Sequence, residues 1–339
     1  MITIDGSYGE GGGQILRTSL ALSAITRTPC RIYNIRKKRK KPGLLPQHLT
    51  AVRAAKEISN AKAEGAVLYS SQLVFKPQKI EGGFYEFNVA QEKKSAGSVT
   101  LVYQTLLPII LFSDKKTKVV VKGGTHVPMS PLYEYFDMIF LKMLEKIFDI
   151  KIKRKLIKHG FYPRGGGKVE VEVEPVSKLS LKHNSFKERG KLISIDCRIC
   201  ISSLPEHIAE REEKVLRNCL KDMQIERTSL NFDAGNYIFL RLCFENVMAG
   251  FSSLGMRKKP AERVAEEVCE SYKDYINKEC FFDSHLADQI LLYLALTKKE
   301  LSFTTQRVTQ HLLTNAWVIE KFLGVKIEIK ENTVSLKHG

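Results

Sequence analysis

The sequence lacks any apolar run long enough to cross a bilayer. Its longest, 106–112 and 290–296, fall far short of the roughly 20 residues a spanning helix needs. It also lacks a cleavable signal, because Ile2 and Ile4 already alternate as in a strand where a basic start and an apolar core would stand. No membrane association is expected, and the reading is a cytoplasmic or nuclear protein. Cysteine is sparse and poorly patterned: seven are scattered along the chain, and the one C-x-x-C, Cys197 with Cys200, lies inside the β-rich run 192–202. A redox pair would open a helix and a zinc site would need a second pair, so these read as strand-packed thiols without disulfides. No Gly-Lys-Ser/Thr completes a Walker loop and no G-x-G-x-x-G is present, which removes the commonest nucleotide-binding signatures. Acidic residues are outnumbered, 37 against 54 basic, for a formal charge of +17. That excess calls for a polyanionic partner, nucleic acid first among them, although charge gives affinity without specifying chemistry.

What is present begins with enough apolar residues, 43%, to bury a core, in a chain of 339 residues long enough for a principal domain and a second unit. Three stretches repeat a pattern: an amphipathic helix end, a turn residue (Asn60, Asp149 or Gly324), then a two-residue strand alternation. The helices expected before them span 49–59, 132–148 and 314–323. The spacings are unequal, 89 residues from Glu57 to Lys146 but 175 from Lys146 to Lys321. One period of about 80 with an insertion of about 95 accounts for both. Five of the seven cysteines fall between 184 and 277, a span with its own α/β pattern: strands at 192–202 and 238–245, helices at 206–222 and 260–278. The expected architecture is a repeated α/β body, 1–183 and 278–339, with a small α/β domain inserted at 184–277.

Three blocks carry candidate chemistry. The first holds five glycines between Gly6 and Gly13 and opens an apolar helix, so backbone N–H groups could approach a phosphate closely. A tight βα turn has the same composition. Glu10 at its centre would repel an anion unless a cation such as Mg²⁺ stood between them, and Arg17 lies about one helical turn further on. The second is the basic run Arg36-Lys37-Lys38-Arg39-Lys40-Lys41, which also suits a solvated loop. In the third, His311 is flanked by Thr, Gln and Asn that could fix its tautomer and leave one nitrogen nucleophilic; a satisfied histidine at a helix start fits equally. A second glycine triplet, in Tyr162-Pro-Arg-Gly-Gly-Gly-Lys168, reads as a structural turn, with Arg164 able to touch a backbone phosphate.

Seven blocks in order resemble one family. Gly9-Glu-Gly-Gly-Gly-Gln-Ile-Leu-Arg17, Lys41-Pro-Gly-Leu-Leu45 with Gln47-His48-Leu-Thr50, Ser95-Ala-Gly-Ser98 with Gln104-Thr-Leu-Leu-Pro108, and Lys122-Gly-Gly-Thr125 form the N-terminal part. His159-Gly-Phe-Tyr-Pro163 with Gly165–Gly167, His285-Leu-Ala-Asp-Gln289 and Gln310-His-Leu-Leu-Thr-Asn315 complete it. Together they are similar to the RNA 3′-terminal phosphate cyclases from end to end. The resemblance implies an α/β (α+β) fold of three βαβαββ repeats, like a translation initiation factor C-terminal domain, with a thioredoxin-like insert. It implies an ATP-dependent ligase that turns an RNA 3′-phosphate into a 2′,3′-cyclic phosphodiester through histidine–AMP and RNA-adenylate intermediates. By the same resemblance His311 is the nucleophile and Glu10 meets Mg²⁺ or Mn²⁺. Arg17, Arg36, Arg39, Gln47 and His48 face the RNA 3′-phosphate or the ATP phosphates. Gln104, Pro131, His285, Leu286, Ala287, Asp288 and Gln289 form the adenosine pocket. The partner is RNA with a 3′-terminal phosphate, and a homodimer would be unsurprising. His285 departs from the tyrosine many relatives carry, and His126 from their Asp or Asn. A non-catalytic branch of the same fold, used in ribosome assembly, lacks the histidine that is present here.

Overall fold

The computed structural model describes residues 1–91, 93–220 and 223–338. The chain opens with β1 (Ile2–Asp5), α1 (Gly13–Thr26), β2 (Cys30–Tyr33), α2 (Pro46–Ile58), β3 (Lys62–Glu64) and β4 (Leu73–Lys76), whose strands form a sheet of order β1-β2-β4-β3. Next come β5 (Phe84–Asn88), α3 (Val99–Leu111) and β6 (Thr117–Gly123). A continuous helical stretch follows, made of α4 (Tyr133–Tyr135), a π-helical segment (Phe136–Leu141) and α5 (Lys142–Ile147), then β7 (Ile152–Lys158) and β8 (Gly167–Val173). Their sheet runs β5-β6-β8-β7, the same relative order as the first.

A differently wired sheet follows, built from β9 (Leu192–Ser202), α6 (His207–Cys219), β10 (Gln224–Leu230), β11 (Gly235–Phe244), β12 (Met248–Leu254) and α7 (Ala261–Ile276), in the order β10-β9-β11-β12. The chain ends with α8 (Ser284–Leu296), β13 (Leu301–Thr304), α9 (Gln310–Leu323), β14 (Val325–Lys330) and β15 (Thr333–His338), in a sheet of order β13-β15-β14. Phe186, from before the third sheet, makes a parallel bridge to Phe303 of β13. The fold is thus mixed α/β with several small sheets.

Local sequence explains the helix starts. Pro46 occupies the first turn of α2, where its missing N–H costs nothing. Ser98, Asp283 and Thr309 cap α3, α8 and α9 by accepting backbone N–H groups. Gly324 ends α9 in the left-handed conformation. The faces of α1, α3, α8 and α9 meet in one core, in which Leu20, Leu106, Ile290 and Val318 have no exposure.

The expected elements appear with three differences. The helix expected at 132–148 is interrupted by the π-helical segment. The helix expected at 206–222 ends at Cys219 in the structure, and residues 221 and 222 lie outside the described residues. Strands β10 and β12 were not expected: Gln224–Leu230 is half-exposed and polar, and Met248–Leu254 is rich in small residues, so neither shows a clean alternation. Cys197 and Cys200 lie buried in β9, unpaired, with burial pushing both thiols up to about 12, as strand-packed thiols should be. No helix among the described residues is long and apolar enough to cross a membrane.

Candidate active site

The glycine-rich loop between β1 and α1 lies against the start of α9. Tyr8 stacks on Trp317 with ring centroids 4.1 Å apart, and Thr18 Oγ1 donates to Asn315 Oδ1 at 2.7 Å. Gly9 has φ +53°, and a Cβ there would stand 2.4 Å from Thr314 Oγ1, so this approach requires glycine. Gly13 allows a second close approach: a Cβ would fall 2.7 Å from His48 Nε2 and 2.9 Å from an Arg17 guanidinium nitrogen. The loop therefore brings Glu10, Arg17 and His48 together with the first turn of α9, which carries His311.

Glu10 is the hub of this group. Arg39 donates to its Oε2 at 2.6 Å, and His311 Nδ1 lies 3.1 Å from Oε1. Oε1 is otherwise buried without a partner, so the His311 ring is the one donor set against it. Burial alone would raise this carboxyl's pKa, but His311, Arg39 and Arg17 outweigh it and hold the group below its ordinary value, as a carboxylate. Burial brings the Arg17 guanidinium down to about 10, with Glu10 opposing, and its Nε is unpartnered. Arg36 donates to the carbonyls of Lys41 and Gly43 at 2.6 and 2.9 Å. Burial, helped by Arg36 and Arg17, holds His48 well below its usual value and so neutral; its Nδ1 accepts from the Leu45 N–H, which puts the proton on Nε2. Gln47 accepts the Ser98 N–H at 2.8 Å.

A chain of contacts leads from His311 towards α8. Thr309 caps α9 and donates to Asp288 Oδ1 at 2.6 Å, and Asn315 donates to the Asp288 carbonyl at 2.7 Å. Burial pushes the Asp288 carboxyl up to about 7. One turn earlier, His285 is exposed and meets Tyr135 edge-on, with centroids 6.2 Å apart. Gln289 keeps a buried Oε1 without a donor. Asp283 then accepts from the Tyr135 hydroxyl and the Gly250 N–H, which sets β12 beside α8.

The Glu10 group, Tyr135 and one face of α8 line one open cleft of about 780 Å³. Glu10, Arg17, Arg36, Arg39, Gln47, His48, Gln104, Pro131, His285, Asp288, Gln289 and His311 all contribute to its wall. Leu286 and Ala287 do not: both are fully buried on the core face of α8 and shape the pocket only by holding that helix. The wall also includes residues the sequence reading missed, notably Met129, Tyr135, Ser253, Met256 and Lys259. Nothing in their spacing marks them: Tyr135 is placed by its bond to Asp283, and Lys259 by its contacts with Ser253 and Glu267.

Glu10 suits a divalent cation, since its orphaned Oε1 is an anionic oxygen needing a partner. One carboxylate is a small donor set, the kind that Mg²⁺ completes with waters and substrate phosphates. The one cluster of three potential ligands among the described residues lies elsewhere, at His126, Glu134 and His159. There His126 bonds Thr125 Oγ1 and Glu134 at 2.7 Å each, and the Tyr237 hydroxyl donates to the other Glu134 oxygen. Glu134 therefore ties α4 to β11, and His126 is its buried partner. Arg164 donates to Asp233 at 2.6 Å and does not line the cleft.

The fold is mixed α/β, and its basic cleft, with a carboxylate oxygen short of a partner and a histidine at a helix N-terminus, has the groups that bind phosphates. The comparisons narrow this further. A model of the RNA 3′-terminal phosphate cyclase family matches residues 8–329. A protein of Sulfurisphaera tokodaii named RNA 3′-terminal phosphate cyclase is 43% identical over 337 residues, covering 97% of this chain and 96% of its own. Proteins of the same name from Methylococcus capsulatus and Archaeoglobus fulgidus are 41% and 39% identical, covering 97% and 99% of this chain and 93% and 100% of theirs. The chain belongs to the RNA 3′-terminal phosphate cyclase family.

Proposed function

We propose that the protein uses ATP to convert an RNA 3′-terminal phosphate into a 2′,3′-cyclic phosphodiester, with His311 as the nucleophile. The observation that carries this is the placement of His311, on the first turn of α9 with Nδ1 towards the Glu10 carboxylate and a wall of arginines in the same cleft. Glu10 favours the tautomer with the proton on Nδ1, leaving the Nε2 lone pair to attack. Nε2 attacks the ATP α-phosphorus, a P–N bond forms, the bond to the β-phosphate oxygen breaks and pyrophosphate leaves. An oxygen of the RNA 3′-phosphate then attacks the same phosphorus and the P–N bond breaks, joining AMP to the RNA end. The neighbouring 2′-hydroxyl finally attacks the RNA phosphorus, loses its proton and expels AMP as the ring closes.

Arg17, Arg36 and Arg39 bind the phosphates, and the N-terminal end of α9 adds its partial positive charge. The neutral His48 offers its Nε2–H as a hydrogen-bond donor. Gln104, Pro131, His285, Asp288 and Gln289 hold the adenosine, and the unpartnered Gln289 Oε1 can accept from a polar edge. Glu10 holds the divalent cation, which when bound would neutralise phosphate charge.

The same reading extends to the architecture. The matching orders of the first two sheets, and the Phe186–Phe303 bridge that gives the last sheet a fourth position, support three βαβαββ units. The β10-β9-β11-β12 sheet with α6 and α7 then stands as a thioredoxin-like insert within 184–277. The test of function is direct: with ATP and Mg²⁺, the 3′-phosphate of an end-labelled RNA becomes resistant to phosphatase. A phosphatase-sensitive end after incubation would refute the activity.

A further inference from the structure

Beside the cleft lies a feature the reaction does not use. Tyr69 is 52% exposed, yet its backbone is left-handed, with φ +63°. A bulky side chain adopts that conformation only when its surroundings impose it, and such strain collects at functional positions. The surroundings here are the end of the basic run. The Tyr69 N–H donates to the Leu44 carbonyl at 2.8 Å, and Gly43 packs so closely that a Cβ there would stand 2.3 Å from the Tyr69 carbonyl oxygen. The cleft residue Arg36 holds the same loop from the other side, through the carbonyls of Lys41 and Gly43. Tyr69 is thus two contacts from the phosphate-binding wall.

Its ring is dressed with positive charge. Lys93 donates to the Tyr69 hydroxyl at 3.0 Å, and its Nζ is 5.7 Å from the ring centroid, which puts the ammonium beyond the hydroxyl and not over a face. Lys40 and Lys41 are exposed on the loop alongside. An exposed aromatic ring with lysines at its edge and on the neighbouring loop is the pairing that binds single-stranded nucleic acid: bases stack on the ring while cations follow the backbone. The segment that carries Lys93 also leads back to the cleft, because Ser98 donates its N–H to Gln47.

We infer that Tyr69, with Lys93 and Lys41, is a stacking platform for the RNA nucleotides immediately upstream of the terminal phosphate. This rests on RNA being the substrate of the cleft. The platform would make the enzyme prefer oligonucleotides over mononucleotide 3′-phosphates without reading sequence, since every base offers a π face.

The test is fluorescence anisotropy with a labelled decanucleotide ending in a 3′-phosphate, with adenosine 3′-phosphate as an unlabelled competitor lacking upstream bases. Tyr69→Ala should weaken decanucleotide binding about tenfold, and Tyr69→Phe, which keeps the ring, should restore it. Lys93→Ala should reduce the salt dependence of decanucleotide binding by about one counterion. The mononucleotide should compete equally well for every variant when its affinity is measured alone. Wild-type affinity in Tyr69→Ala, or an equal loss for decanucleotide and mononucleotide, would overturn the platform. Because binding is read without turnover, failure of the cyclisation reaction would show separately, as an unchanged RNA end in the wild-type protein.

Discussion

Asp288 is a carboxyl group in a place where ionisation is expensive. Burial lifts its pKa from 3.8 to about 7, against the opposing effects of Thr309 and His311, so the folded protein holds this proton more tightly than the unfolded chain does. Its contribution to stability is therefore fullest at acid pH, declines as pH rises from about 4 to about 7, and is flat above that. Glu212, buried on α6 and also raised to about 7, adds to the same window. Asp288→Asn should flatten the slope, by a few kcal/mol at most, when urea unfolding is compared at pH 5 and pH 8. A slope as steep as in the wild type would place its cause elsewhere. His48 works in the opposite sense: its depressed pKa gives stability that is present above about pH 6.5 and is lost as pH falls below it. The residue types of the site were legible in the sequence, since Glu10, Arg17, Arg36, Arg39, His48 and His311 all line the cleft. The protonation of Asp288 was not, because it depends on burial that no local pattern encodes.

The element that matters most is the start of α9. Thr309 caps the helix through the Leu312 N–H at 2.9 Å while donating to Asp288, so one hydroxyl fixes both the helix end and the carboxyl beside it. Thr309→Ala should cost about 1 kcal/mol of stability in a denaturant titration. It should also lower the rate of histidine adenylylation more than it raises the KM for ATP, because His311 loses its anchored turn. Thr309→Ser should recover both. At this scale the sequence was informative wherever period and turn chemistry agreed, as at β1, α1, β9 and α7. It was silent where an element is held by its neighbours. Strand β12 carries small and polar residues, and its pairing with β11 and the Gly250 bond to Asp283, not its own pattern, hold it beside the cleft. The π-helical segment Phe136–Leu141 is equally invisible in a pattern of apolar spacing.

At the scale of the molecule, the excess of positive charge is gathered usefully. The run 36–41 supplies two arginines to the cleft, and its four lysines are exposed beside them. One polar tie joins β11 to α4: Glu134, buried with a pKa depressed to about 2, overcomes its burial through His126 and the Tyr237 hydroxyl. Tyr237→Phe leaves one Glu134 oxygen without its donor and should cost about 2 kcal/mol in denaturant unfolding; a variant as stable as wild type would show that this tie is dispensable. His126 sits in this buried tie and does not line the cleft. The proposed reaction requires His311 to carry AMP. Incubation with α-labelled ATP and Mg²⁺ should leave label on the protein that is acid-labile and alkali-stable, and His311→Ala should carry none. An unlabelled wild-type protein, or label that persists in His311→Ala, would contradict it.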